Sequence, residues 1–98
     1  MKSVQSPMIN RRKKVIEFRI VNECAHQICV AGSFNHWAKD EYYLTPKQDG
    51  TWSVKVPLPP HGEYQYKFFI DDQMAMEDIE NPFRLPDGVN GFNSVLQV

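Results

Sequence analysis

Three groups of residues in this 98-residue chain carry side chains able to do chemistry. The first is the run Gly32-Ser33-Phe34-Asn35-His36-Trp37. Trp37 has a large flat face and one N–H donor, so half-exposed it makes a platform for another flat, partly apolar surface. The second is Cys24, His26 and Cys29, with His36 and His61 further along. Zinc sites use tighter paired-cysteine spacing, so these read as core and turn residues, and no metal is expected. The third is acidic: Asp71-Asp72 and Glu77-Asp78-Glu80. A glycoside hydrolase needs two carboxylates facing each other across a cleft, whereas a turn pair and a loop cluster are ordinarily solvated. No nucleophile elbow and no phosphate-cradling glycine loop is present. The expectation is therefore binding without catalysis, and no cofactor.

The elements that must position these residues are short. Ile16, Phe18 and Ile20 alternate with Glu17 and Arg19, the period-2 mark of a half-buried strand. Asn22 to His26 reads as a turn, and Gln27 to Ala31 as a strand running straight into Gly32. Gly32 permits a sharp exit, and Ser33 and Asn35 can hydrogen-bond a turning backbone, with Phe34 pointing inward. Tyr42 to Leu44 is a short strand, followed by a turn ending in Asp49-Gly50, a favoured hairpin pair. Trp52, Val54 and Val56 alternate in the next strand and Trp52 reads as core; Pro57, Pro59 and Pro60 stop it.

Tyr64, Tyr66, Phe68 and Ile70 fall on one face of the following strand, and Gln65, Lys67 and Phe69 on the other. Asp71-Asp72 makes a tight turn into a short return strand over 73–77. Residues 78–90, with Pro82, Pro86 and Gly88, read as a long surface loop, and Phe92 to Val98 as a closing strand. About six to eight short strands without helical periodicity predict an all-β, antiparallel β-sandwich.

Composition narrows the function. A hydrophobic share of 42% suits a globular chain of one domain rather than a disordered one. Net charge is −1, which argues against a general electrostatic grip on nucleic acid or on an anionic membrane. No apolar run approaches the ~20 residues that span a bilayer. Residues 1–10 lack the apolar core of a signal peptide. Two cysteines then suit a reduced, cytoplasmic setting. Residues 1–13, with the basic cluster Arg11-Arg12-Lys13-Lys14, read as a flexible N-terminal tail, and residues 14–98 as the folded module.

Three segments in order carry a resemblance: Gly32 to Trp37, then Gly62-Glu63-Tyr64-Gln65-Tyr66-Lys67-Phe68-Phe69-Ile70-Asp71, then Asn93-Ser94-Val95-Leu96-Gln97-Val98. Together they resemble the glycogen-binding domain of the AMP-activated protein kinase beta subunit, one of the isoamylase N-terminal-like carbohydrate-binding modules. The resemblance covers residues 15–98. It implies an immunoglobulin-like sandwich that binds α-1,4-linked, glycogen- or starch-like glucans without acting on them. A rival reading, a module of this fold that has lost its sugar, would take a kinase or a glucan-modifying enzyme as its protein partner.

Carried over residue by residue, the first sugar-stacking tryptophan of that family falls on Trp37, its lysine on Lys67 and its asparagine on Asn93. Its inserted loop leucine falls at Val89, and a threonine beside that is replaced by Gly91. The family's second tryptophan, seven residues after the lysine, is replaced by Met74. Methionine is polarisable but offers no flat π surface, so the resemblance implies weakened binding.

The residue types suit that reading. A glucose ring has an apolar C–H face and a hydroxyl rim, so its partner needs a flat apolar platform flanked by donors and acceptors. Lys67 donates, and Asn93 both donates and accepts. Phe69, on the Lys67 face, is expected to be covered by a neighbouring element. Two other readings stay open: a protein-interaction module of the same fold that has lost its sugar, contacting through Met74, Met76 and residues 82–91, and a structural spacer.

Overall fold

The computed structural model describes residues 5–98. Ten strands occur among them: β1 (Met8–Asn10), β2 (Val15–Val21), β3 (Ile28–Gly32), β4 (Tyr42–Tyr43), β5 (Thr45–Pro46), β6 (Thr51–Pro57), β7 (Glu63–Ile70), β8 (Met74–Met76), β9 (Arg84–Pro86) and β10 (Phe92–Gln97). One sheet has the order β1-β2-β6-β5; the other runs β4-β3-β7-β10-β9, with β8 pairing the far end of β7. All the pairings are antiparallel. This is the antiparallel sandwich that the alternating pattern predicts. The count exceeds six to eight because several strands are only two or three residues long, below what alternation can reveal.

The alternation in β2 carries the core. Ile16, Phe18 and Ile20 face inward and pair with Val56, Val54 and Trp52 of β6. From the other sheet, Tyr66 and Phe68 bring their rings to 4.8 Å and 6.4 Å from that of Phe18. Burying each such ring contributes about 1.5–3 kcal/mol, so this aromatic seam joins the two layers. Trp52 is core, as expected, and its indole N–H donates to the Asn22 carbonyl at 2.8 Å. In β3 every residue is buried, including the outward Cys29 and Ala31, which explains its unbroken apolar run.

Two expectations need correction. Residues 8–10 are not a flexible tail: β1 pairs with β2 (Met8 with Glu17, Ile9 with Ile16, Asn10 with Val15), and Ile9 packs on the core. Arg11 to Lys14 form the exposed turn between the two strands, so the basic cluster stays solvated without belonging to a free arm. The part of the expected tail at residues 1–4 lies outside the described residues.

Nor are residues 78–90 simply a surface loop. Asp78 and Asn81 are buried and β9 lies among them. Asp78 Oδ2 accepts from the hydroxyls of Ser6 (2.6 Å) and Tyr66 (2.8 Å), while its N–H donates to Ser94 Oγ (2.8 Å). Asn81 Nδ2 donates to Tyr66 Oη (3.0 Å) and to the Val95 carbonyl (2.8 Å). The segment is held inward by polar contacts rather than by apolar side chains, which hydropathy cannot signal.

Candidate functional site

The loop after β3 is shaped by its own short side chains. Gly32 sits where a Cβ would strike the Gln65 carbonyl oxygen and come within 2.7 Å of Tyr66 Cβ and 2.8 Å of the Phe34 ring. Only glycine fits that approach. Asn35 Oδ1 accepts from the Gly32 N–H (3.0 Å), and its Nδ2 donates to the Ala38 carbonyl and to Glu41 Oε1 (both 3.1 Å). Ser33 Oγ accepts from the Gln65 N–H at 3.0 Å, hooking the loop onto β7. Phe34 turns inward and stacks on Phe18 at 5.8 Å.

Fastened this way, His36 and Trp37 both adopt the left-handed conformation, with φ of +58° and +59°. For a bulky tryptophan that region is unusual and costs about 1–3 kcal/mol, a strain that persists only where the surroundings impose it. Its backbone N–H donates to the Gly32 carbonyl at 2.8 Å. The residue remains 37% exposed, as a partly open side chain requires.

The outward face of the second sheet continues from this loop. Ala31 of β3 pairs with Lys67 and Cys29 with Phe69. Across β7 the register pairs Ser94 with Tyr66 and Val95 with Gln65, which brings Asn93 to the level of Lys67. Asn93 Nδ2 donates to Gln65 Oε1 at 3.0 Å, leaving its carbonyl oxygen as the remaining acceptor. Leu85 of β9 pairs with Asn93 and is partly open to solvent. The Lys39 ammonium lies 4.5 Å above the Phe69 ring, so a neighbouring element does cover that side chain. It is a cation–π contact.

The Lys67 ammonium has a partner within the fold. Its Nζ donates to Asp87 Oδ2 at 2.8 Å, with both side chains largely covered. An ammonium has three donors, so two remain. This partner is invisible in the sequence, where Asp87 is one acidic residue in a proline- and glycine-containing stretch. Val89, two residues on, is 85% exposed at the tip of its turn.

Met74 stands apart from the others. Its register partner is Ile70, on the alternation that carries inward side chains, one step out of phase with Lys67. It lies at the end of the β7–β8 hairpin, past the turn in which Asp71 and Asp72 both take φ of +55°, and is 58% exposed. The structure thus gathers Lys67 and Asn93 on one face, anchors the Trp37 loop to its edge, sets Val89 in the turn leading to β10, and leaves Met74 at the hairpin end.

Other chemistry is sparse. Among the described residues no three of His, Cys, Asp and Glu converge as metal ligands. Cys24 is exposed and Cys29 buried, both free thiols, and burial pushes the Cys29 thiol up from its ordinary value. Among the described residues no helix is long and apolar enough to cross a membrane.

A small antiparallel sandwich with a strained, partly exposed tryptophan in the loop after β3, and amide and ammonium groups on the outward face of the same sheet, has the build of a carbohydrate-binding module. The family described as the glycogen recognition site of AMP-activated protein kinase matches residues 15–98, and the chain belongs to it. The 5'-AMP-activated protein kinase subunits beta-1 of Rattus norvegicus and Mus musculus are each 35% identical to it over 72 residues. Those residues make up 74% of this chain and 24% of each subunit, so the chain spans about a quarter of the relatives' length.

Proposed function

We propose that this chain is a non-catalytic module that binds α-1,4-linked glucans of the glycogen or starch type. Trp37 is the stacking platform. Lys67 donates to sugar hydroxyls through the two donors that Asp87 leaves open, and Asn93 accepts through the oxygen that Gln65 leaves open. Val89 touches the glucan from the loop tip, and Met74, a weaker substitute for a second aromatic, meets it from the hairpin end rather than from the Lys67 face.

The observation that supports this reading most is Trp37: an aromatic held part-open against backbone strain, in a loop hooked through Ser33 onto β7, the strand that bears Lys67, in a chain that belongs to a glycogen-recognition family. Affinity for a short oligosaccharide is expected near millimolar, about −4 kcal/mol. One stack contributes on the order of 1 kcal/mol beyond area burial. Each hydroxyl hydrogen bond adds roughly 0.5–1.5 kcal/mol. A polymer with many equivalent sites retains the module better through rebinding.

Retardation on a native gel containing glycogen or amylose tests the reading: wild type is slowed and Trp37→Ala is not. Unretarded wild type overturns it. The kinase subunits among the relatives support a larger assembly with a protein kinase as the partner context, and two free thiols suit a cytoplasmic compartment.

A further inference from the structure

The connection from β9 into β10 closes on a ring of polar contacts centred on Asp87. Its Oδ1 accepts from the backbone N–H groups of Val89 (2.9 Å) and Gly91 (3.1 Å), and its own N–H donates to the Gly91 carbonyl (3.0 Å). Its Oδ2 accepts from Lys67 Nζ at 2.8 Å. Gly88 turns the tip with φ of +85°, and a Cβ on Gly91 would lie 3.2 Å from Asp87 Oδ2. One carboxylate therefore joins an exposed loop tip, the root of β10 and the ammonium on the face of β7.

We propose that Asp87 is a positioning residue for glucan binding, fixing the Lys67 ammonium and the Val89 tip as one preorganised unit. This inference rests on the glucan-binding reading above. A lysine on a strand face is ordinarily a mobile point charge, and a glycine-flanked tip is ordinarily loose; ordering both before the sugar arrives removes that entropic cost from the binding step. Asp87 acts through these neighbours rather than by touching sugar, because its two oxygens already receive three donors. The hydrogen bond from Lys67, followed by those from the Val89 and Gly91 amides, holds its carboxyl well below the usual carboxylate range, so the latch is ionised and closed at neutral pH.

The test combines maltoheptaose titration by NMR with amide exchange at Val89 and Gly91. Asp87→Ala is expected to lose protection at both amides and to bind about tenfold more weakly. Asp87→Asn keeps an acceptor for the two amides but not the charge, so protection survives and binding falls about threefold. Val89→Ala weakens the wild type but adds little in the Asp87→Ala background, where the tip is already loose; residues acting as a unit are non-additive.

Equal or tighter binding by Asp87→Ala overturns the proposal, since Asp87 would then merely occupy Lys67. Unchanged amide protection, or full additivity with Val89→Ala, overturns it as well. If wild type binds no glucan, the functional reading falls, and with it the role in binding. The exchange data alone still decide whether Asp87 holds the loop.

Discussion

Asp78 and Asp87 lie on either side of β9, in the connections that enter and leave it, and have opposite surroundings. Asp78 is 2% exposed and is met by the neutral hydroxyls of Ser6 and Tyr66. Burial pushes its carboxyl up from the ordinary value, although those hydroxyls pull the other way. Asp87, in a turn with an exposed tip, is met by an ammonium and two amides, and is pulled down. The first carboxylate closes the edge of the sandwich; the second organises a surface beside the proposed sugar platform. The same residue type thus serves stability in one region and presentation in the other, and variants in the two regions should separate cleanly.

The largest effect is expected at the buried end. Asp78→Ala removes the acceptor for the Ser6 and Tyr66 hydroxyl protons and the Glu80 N–H, and is expected to cost about 2–4 kcal/mol in urea denaturation. A loss below about 0.5 kcal/mol would break the assignment of that region to stability. Trp37→Ala is the counterpart. Its half-open ring contributes little to the core, so unfolding is expected to shift by less than about 1 kcal/mol while glucan binding drops at least about tenfold. Met74→Trp is expected to tighten maltoheptaose binding by about threefold, since a large ring at the hairpin end can reach round the strand. No gain would confine the platform to the Trp37 side.

The smallest effects are in pH dependence, and they differ in sign. Asp78 has a raised carboxyl in the fold, so its contribution to stability is full below the unfolded value near 3.8 and is lost as pH rises through the raised value. Asp87 has a lowered one, so its contribution is full above that value and is lost as pH falls. Thermal melts against pH should show Asp78→Asn flattening the first trend and Asp87→Asn the second. The same change in both variants would erase the distinction.

Most of the sandwich is legible in the sequence because alternation in 16–20, 52–56 and 64–70 forces one face of each strand inward. The Trp37 loop is legible too, since glycine, serine and asparagine at fixed offsets have few other uses. What escapes is held by hydrogen bonds between distant residues. Nothing in Met8-Ile9-Asn10 distinguishes three paired residues from a tail, and nothing in 78–81 marks Asp78 as buried, because Ser6 and Tyr66 stand far from it in the chain. The Lys67–Asp87 pair is hidden for the same reason, and the half of Met74's placement that depends on register could be read only from the β7–β8 ladder.

The contact between Ser6 and Asp78 bears on where this domain physically starts. Family similarity begins at Val15, yet a fragment cut there would lack the hydroxyl that reaches Asp78 and the ribbon that covers the edge of β2. Homology and mechanical integrity therefore draw different borders, and a recombinant piece trimmed to the shorter one would carry an open seam beside a buried carboxylate.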